Sequence, residues 1–389
     1  MKKRLLLAAV TGALFFASCK KDSSGTSSTS PDECVTSRTA RDGDIIPGQY
    51  IVSFNESAIS GSSATETRVA EYSMKTLERL AIRKSAIKKS IVGMEGGFIA
   101  HLTELEASRL KTDASVSIVE PDRIIALGTC FKVVEPRLIT WSVNRVGYGD
   151  GTGKTAWVID TGIDFEHPDL NVDQARSKSF ITAEPSASDL NGHGTHVAGI
   201  IGAKNNTIGI LGVASGATLV SLKVLNEEGE GTLSAIIQAL AYVNANAKAG
   251  DVVNMSLGEE VASPTLDQHV QNTAARGIYI AMAAGNDSKA ARDFSPGRAN
   301  GANLYTVSAV DSLDNFANFS NFGNDVVDVA APGVRIISTY MGNRYAIMSG
   351  TSMATPHVAG LLLLKGRSMT TSGSAVNDPD GTPDMIAHF

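Results

Sequence analysis

The sequence predicts an α/β protein: a parallel β-sheet with helices on both faces, preceded by a small α+β domain. Three observations predict it. From residue 146 onward, apolar runs of strand length alternate with helix-length stretches, the pattern of buried parallel strands. Residues 45–127 run β-α-β-α-β instead, the order of a small ferredoxin-like sandwich with a split βαβ unit. The 37 glycines among 389 residues supply the tight turns that many short connections need.

Each element follows in chain order. MKKR is a basic start, and residues 5–16 are an apolar run too short to span a bilayer. The small residues of FASC then lead to Cys19, as in a bacterial lipoprotein signal, with an ordinary secretory signal as the alternative. Residues 1–19 are therefore expected to be a leader that leaves Cys19 lipidated on the cell envelope, at the outer membrane. Residues 20–44 begin with a charged, Ser/Thr-rich tract and form a flexible linker. In the 45–127 domain, QYIVSF (49–54), GFIAHL (97–102) and VSIVEPD (116–122) read as strands, and residues 66–89 as one amphipathic helix. Thr103 and Glu106 form a capping box that opens a second helix through Leu110. Residues 128–140 are a linker, and 141–389 the large α/β domain with a polar tail. Cys34 and Cys130 remain an even pair in an exported chain and are expected as a disulfide, with two free thiols as the alternative.

A net charge of −6 argues against a nucleic-acid binder, which needs basic patches. No segment after the leader approaches the roughly 20 apolar residues of a membrane helix.

The chemistry centres on SGTSMATPHVAG (349–360). A serine hydroxyl is a weak nucleophile until a base, an acid that orients the base and donors for the oxyanion surround it. Asp160 ends a buried strand in WVIDTGID, and in open α/β sheets sites form beyond the carboxyl ends of strands. His193 lies in the Gly-punctuated turn NGHGTHVAG, and Asn286 ends a strand in AMAAGN. Alone, each has an ordinary structural role: a turn residue, a helix start, an N-cap. His196 and His357 are assigned such roles.

Together, VIDTGID, NGHGTHVAG, NMSLG, AAGN, FSNFG, APG and SGTSMATPHVAG occur in the order of the subtilisin-like serine peptidases, which the chain resembles over roughly residues 140–365. GATLVSLKVL and FSNFGNDVVDVAAPG look closest to the proteinase K branch, and residues 45–127 resemble the inhibitory propeptide of the same enzymes. The resemblance implies an exported serine endopeptidase, made as a self-cleaving zymogen. Ser352 is then the nucleophile, His193 its base, Asp160 the orienting acid and Asn286 an oxyanion donor. Glu230, Gly231 and Thr232, with Ser256, Leu257 and Gly258, would flank an extended substrate, and Ala284 and Gly285 would line the pocket beside the cut. Specificity is expected to be broad, with an apolar or aromatic preference. The partners are polypeptide substrates and the chain's own propeptide, and the enzyme is expected as a monomer. No cofactor enters the chemistry, while Asp328 matches a calcium ligand of the proteinase K branch. Self-cleavage is expected within 127–140, near Trp141, which would release the catalytic domain, whereas a cut before Cys130 would leave it tethered through the disulfide.

Competing readings fit less well. An α/β-hydrolase needs G-x-S-x-G, and Ser352 lacks the second glycine. A zincin needs H-E-x-x-H, whereas His193 and His196 bracket Gly-Thr. A catalytically silent binding protein of the same fold is the alternative of a different class.

Overall fold

The computed structural model describes residues 33–35, 41–55, 59, 65–92, 96–127, 129–133 and 139–389. Cys19, the leader and most of the 20–44 linker lie outside the described residues.

A short strand β1 (Glu33–Val35) precedes the small domain. That domain comprises β2 (Ile45–Phe54), α1 (Glu66–Arg79), β3 (Ile87–Ile91), β4 (Gly97–His101), α2 (Glu104–Lys111) and β5 (Val116–Ala126). One strand more than expected is present. The stretch read as a single helix to residue 89 stops at Arg79, Ala81 takes the left-handed conformation (φ 54°), and IKKSI becomes β3. Ile87 packs on the helix-covered face and Ile91 in the large-domain core, so the strand has no clean two-fold alternation to stand out beside a strong helical pattern. The Thr103–Glu106 capping box is present, with both reciprocal hydrogen bonds made.

The sheet order is β9-β5-β2-β4-β3, all antiparallel, where β9 (Glu230–Thr232) belongs to the large domain. One face of this sheet packs Val52, Phe54, Phe98 and Val119 against α1 and α2. The other face lays Ile51, Ile91, Ile99 and Ile125 into the core of the large domain. A second sheet joins β1 to β6 (Thr129–Val133), then β15 (Arg344–Met348) and β14 (Ile336–Tyr340). In it Cys34 and Cys130 are direct cross-strand partners.

The large domain opens with α3 (Trp141–Val146). Its central sheet contains β7 (Thr155–Asp160), β8 (Thr218–Lys223), β10 (Val252–Met255), β11 (Tyr279–Ala283), β12 (Leu304–Val310) and β13 (Val329–Pro332), all parallel. An antiparallel pair, β16 (Thr370–Ser374) and β17 (Met385–His388), extends one edge. The period-two rule divides each strand: Ala156 and Val158 face α4 (His193–Gly202) and α7 (Thr351–Lys365), whereas Trp157 and Ile159 face α5 (Leu233–Asn246) and α6 (Pro264–Ala275). Because both faces are covered, every residue of TAWVID is buried. The polar tail is not wholly solvated, as Asp384 is buried and accepts the Ser308 hydroxyl at 2.6 Å.

Candidate active site

Asp160 is the last residue of β7, beside the point where neighbouring strands leave in opposite directions. Its Oδ1 accepts the Thr161 N–H at 2.7 Å and lies 2.7 Å from His193 Nδ1. Both side chains are fully buried. A carboxylate oxygen only accepts, so His193 Nδ1 carries the hydrogen and Nε2 is left as the basic position. His193 Nε2 has no hydrogen-bond partner. Burial pulls the His193 pKa down, but the charge and hydrogen bond of Asp160, with Asp189 behind, outweigh it, and the net shift is upward.

His193 is the first residue of α4, and Asp189 builds the turn that holds it. Asp189 accepts the N–H groups of Asn191 and Gly192 at 2.9 Å, the Thr161 hydroxyl at 2.9 Å and the Thr195 hydroxyl at 2.6 Å. An anion there also suits a helix N-terminus. Gly192 has φ 110°, and the Tyr340 ring occupies the space a side chain would need. Sequence reasoning missed Asp189; the signal was an acid four residues before the histidine, just ahead of the turn LNGHG.

Ser352 sits in the first turn of α7. Pro356 lies inside that helix and has no N–H to give the carbonyl four residues earlier, which is that of Ser352. The Ser256 hydroxyl takes this carbonyl at 2.8 Å, and the Ser352 hydroxyl donates to the Ser256 carbonyl at 3.0 Å. The reciprocal clasp fixes the serine against the end of β10. Asn254 Nδ2 steadies the Ser256 hydroxyl at 2.9 Å.

Asn286 follows β11. Its Oδ1 accepts the Thr351 N–H at 2.8 Å and the Thr351 hydroxyl at 3.0 Å. An N–H can only donate, which settles the orientation of the amide and leaves Nδ2 free to donate into the cleft that Asn286 shares with Ser352. That cleft, about 330 Å³, is also lined by Leu257, Gly258, Ala284, Gly285 and Phe294. Gly285 has φ 107° and lies against the Asn321 amide.

Glu230, Gly231 and Thr232 form β9, and the 45–127 domain already occupies it. Glu230, Gly231 and Thr232 pair antiparallel with Ala126, Ile125 and Ile124, and the Leu127 N–H donates to the Gly229 carbonyl at 2.9 Å. This is strand addition, the way an extended peptide would bind.

His196 and His357 are each held by backbone carbonyls. His196 Nε2 lies 3.1 Å from the carbonyls of both Ile336 and Ala346, and burial pulls its pKa down to about 3. His357 Nδ1 lies 2.8 Å from the Met353 carbonyl, and burial lowers it to about 4. Asp328 accepts the Thr306 N–H at 2.8 Å, and burial raises it to about 6. Among the described residues no three acidic, histidine or cysteine side chains are grouped to hold a metal ion, and a calcium site at Asp328 would draw its other oxygens from backbone carbonyls.

Chemically the arrangement can activate a hydroxyl. Ser352 and Asn286 share one cleft, and acyl transfer there would need the first as nucleophile and the second as an oxyanion donor.

The chain matches the subtilase family (peptidase S8) over residues 151–370 and the peptidase inhibitor I9 family over residues 49–127. It is 40% identical to a thermostable alkaline protease of Halalkalibacterium halodurans over 68% of this chain and 71% of that protein. It is 35% identical to alkaline serine exoprotease A of Vibrio alginolyticus over 94% of this chain and 70% of the relative. Subtilisin E of Bacillus subtilis is 37% identical over 82% of this chain and 85% of its own. Among solved structures, a cold-adapted subtilisin-like serine proteinase superposes with a TM-score of 0.57 at 34% identity, over 65% of this chain and 98% of the other.

Proposed function

The chain belongs to the subtilase family, and from that premise we propose how this exported serine endopeptidase, made with an I9-type inhibitory propeptide, carries out its chemistry and is matured. Ser352 attacks the scissile carbonyl, His193 Nε2 takes its proton, and Asp160 holds the ring and stabilises the imidazolium. Asn286 Nδ2 and the Ser352 N–H receive the oxyanion. The acyl-enzyme is then hydrolysed with His193 returning the proton. The observation that carries this reading is the fully buried 2.7 Å contact between Asp160 and His193, whose outer nitrogen has no other partner.

Substrates bind as a strand on β9, in the place the propeptide now fills. Backbone pairing reads no side chain, so specificity is broad. Leu257, Ala284 and Phe294 in the cleft support an apolar or aromatic preference before the cut, although Asp42, Glu259, Glu260 and Asp287 line the same cleft. FSNFGNDVVDVAAPG supports placement in the proteinase K branch.

We put self-cleavage between Leu127 and Cys130, ahead of the position near Trp141 expected from the sequence. Strand pairing supports this. β5 runs along β9 and reaches the cleft at Ala126 and Leu127, β6 runs along β15, and β15 leads within four residues to Ser352. The cut then leaves Cys130 on the mature chain. A Cys34–Cys130 disulfide, which their register supports, ties that chain to the N-terminal segment and through lipidated Cys19 to the envelope.

The test sets the purified zymogen beside Ser352→Ala, with reducing and non-reducing gels, intact mass and N-terminal sequencing. Wild type is expected to split, with a new N-terminus at or before Cys130 and fragments that part only on reduction. Ser352→Ala stays whole. A wild type that neither splits nor hydrolyses peptides at any pH overturns the catalytic reading, and an N-terminus near Trp141 overturns the tether.

A further inference from the structure

The propeptide and the catalytic domain meet through acids. Asp42, Glu120 and Asp122 come from the propeptide side, and Glu259, Glu260, Asp267 and Asp287 from the catalytic side. Most are held by donors. Asp122 accepts Gln49 Nε2 at 2.6 Å and the Ser234 N–H of α5 at 3.1 Å. Glu120 accepts the hydroxyl of Ser263, the cap of α6, at 2.7 Å. Asp42 accepts the N–H groups of Ala126 and Glu260, both at 2.9 Å, and so ties β5 to the loop after β10. Asp267 is paired with Arg298 at 3.2 Å. Lys289 stands 3.4 Å from Glu260, and burial, then Glu260, moves Asp287 upward.

Glu259 differs from all of these. It is 1% exposed, and neither carboxylate oxygen has a hydrogen-bond partner. The groups that face it are Glu120, Asp122 and Arg123 on β5, and Asp42 before β2. Arg123 is the only cation among them, and its Nη1 is engaged at 2.8 Å by the Gly43 carbonyl. A carboxyl deprived of water and donors, with three other acids nearby, keeps its proton. Burial, then Glu120 and Asp42, push Glu259 up to about 8. Burial likewise raises Asp42 to about 6 and moves Glu120 upward.

We propose that this interface is a proton latch on the zymogen, closed in mildly acidic surroundings and released as the medium turns alkaline. The proposal rests on the zymogen reading above and adds the condition that ends latency. When the domains part, Glu259 regains water, loses Glu120, Asp42 and Asp122, and returns toward the ordinary carboxyl value of 4.5. Between that value and about 8 the complex holds a proton that the separated domains give up. The contribution of Glu259 to the complex is therefore fully present below the lower value and is lost as pH rises through the upper one. An association that takes up one proton weakens about tenfold for each pH unit across that window.

The experiment measures the lag before peptide hydrolysis after the self-processed zymogen is moved from pH 5.5 to buffers between pH 6 and 9. Each lag is normalised to the turnover of the mature enzyme at that pH. Wild type is expected to shorten its lag more than tenfold from pH 6 to pH 8. In Glu259→Gln, whose amide cannot ionise, the lag stays long and flat over that range. Equal pH slopes in the two proteins, or a lag that lengthens with pH, overturn the latch. Should Glu259→Gln fail to fold, Glu120→Gln and Asp42→Asn remove the facing charges from the propeptide side, and a slope as steep as wild type in both refutes it. If wild type hydrolyses nothing at any pH, the endopeptidase reading falls, and the latch is read by hydrogen exchange on Ser352→Ala. Corrected protection over residues 118–127 drops from pH 6 to pH 8 if the latch holds, and unchanged protection overturns it.

Discussion

The catalytic core and the propeptide interface both bury ionisable groups, yet protons act on them in opposite directions. In the core His196, His269 and His357 are fully buried, and burial lowers them to about 3, 4 and 4. At the interface Glu259 and Asp42 are raised to about 8 and about 6. The same force acts in both places, since a low-dielectric surrounding favours whichever form is uncharged. For histidine that form lacks the proton, and for a carboxyl it carries one. Acid therefore weakens the core while it tightens the interface. His193 departs from its neighbours because Asp160 stands 2.7 Å away, and it alone among the buried histidines moves upward.

Removing that exception has the largest expected effect. In Asp160→Asn, the ring loses the charge that holds its proton on Nδ1, and kcat should fall roughly 10⁴-fold, as the equivalent change does in a serine protease of unrelated fold. Steady-state kinetics on a peptide substrate checks it, and a loss under tenfold would mean that His193 is one more structural histidine. Next is acid stability. A histidine lowered from 6.5 to about 4 contributes stability that is present above 6.5 and is lost as pH falls toward 4, on the order of 3 kcal/mol when fully protonated. Thermal melting of Ser352→Ala between pH 7 and 4 should show this fall, and His269→Gln should flatten part of it. An unchanged slope would sever the link to His269. The smallest effect separates the propeptide's own fold from its interface. Thr103→Ala breaks the capping box of α2, away from the acids, and should cost about 1 kcal/mol. The lag of the zymogen should shorten by the same factor at every pH. A changed pH slope would show that the fold and the latch are not separable.

The four positions proposed as catalytic were legible because such chemistry demands particular side chains, here set among small residues in GHGTHVAG and SGTSMATP. The parallel sheet was legible for a similar reason, as strands covered on both faces leave uninterrupted apolar runs. Other features were hidden because their meaning depends on distant partners. Pro356 inside α7 removes a donor, and only the fold shows that the Ser256 hydroxyl supplies it. Glu259 in SLGEEV carries no sign of its surroundings in the sequence, because the charged groups that face it, Glu120, Asp122, Arg123 and Asp42, come from far along the chain. Strand β3 was hidden by continuity, because IKKSI extends the spacing of the helix before it.

The shared sheet has one further consequence. Once the propeptide departs, β9 becomes an unpaired edge, with backbone donors and acceptors ready to template any extended chain, including another molecule of the enzyme. Its length limits that hazard. Glu230–Thr232 is three residues long, and Gly231 at its centre has no side chain to strengthen the pairing. So short an edge grips a strand that passes through to be cut, and is too small to seed a fibril.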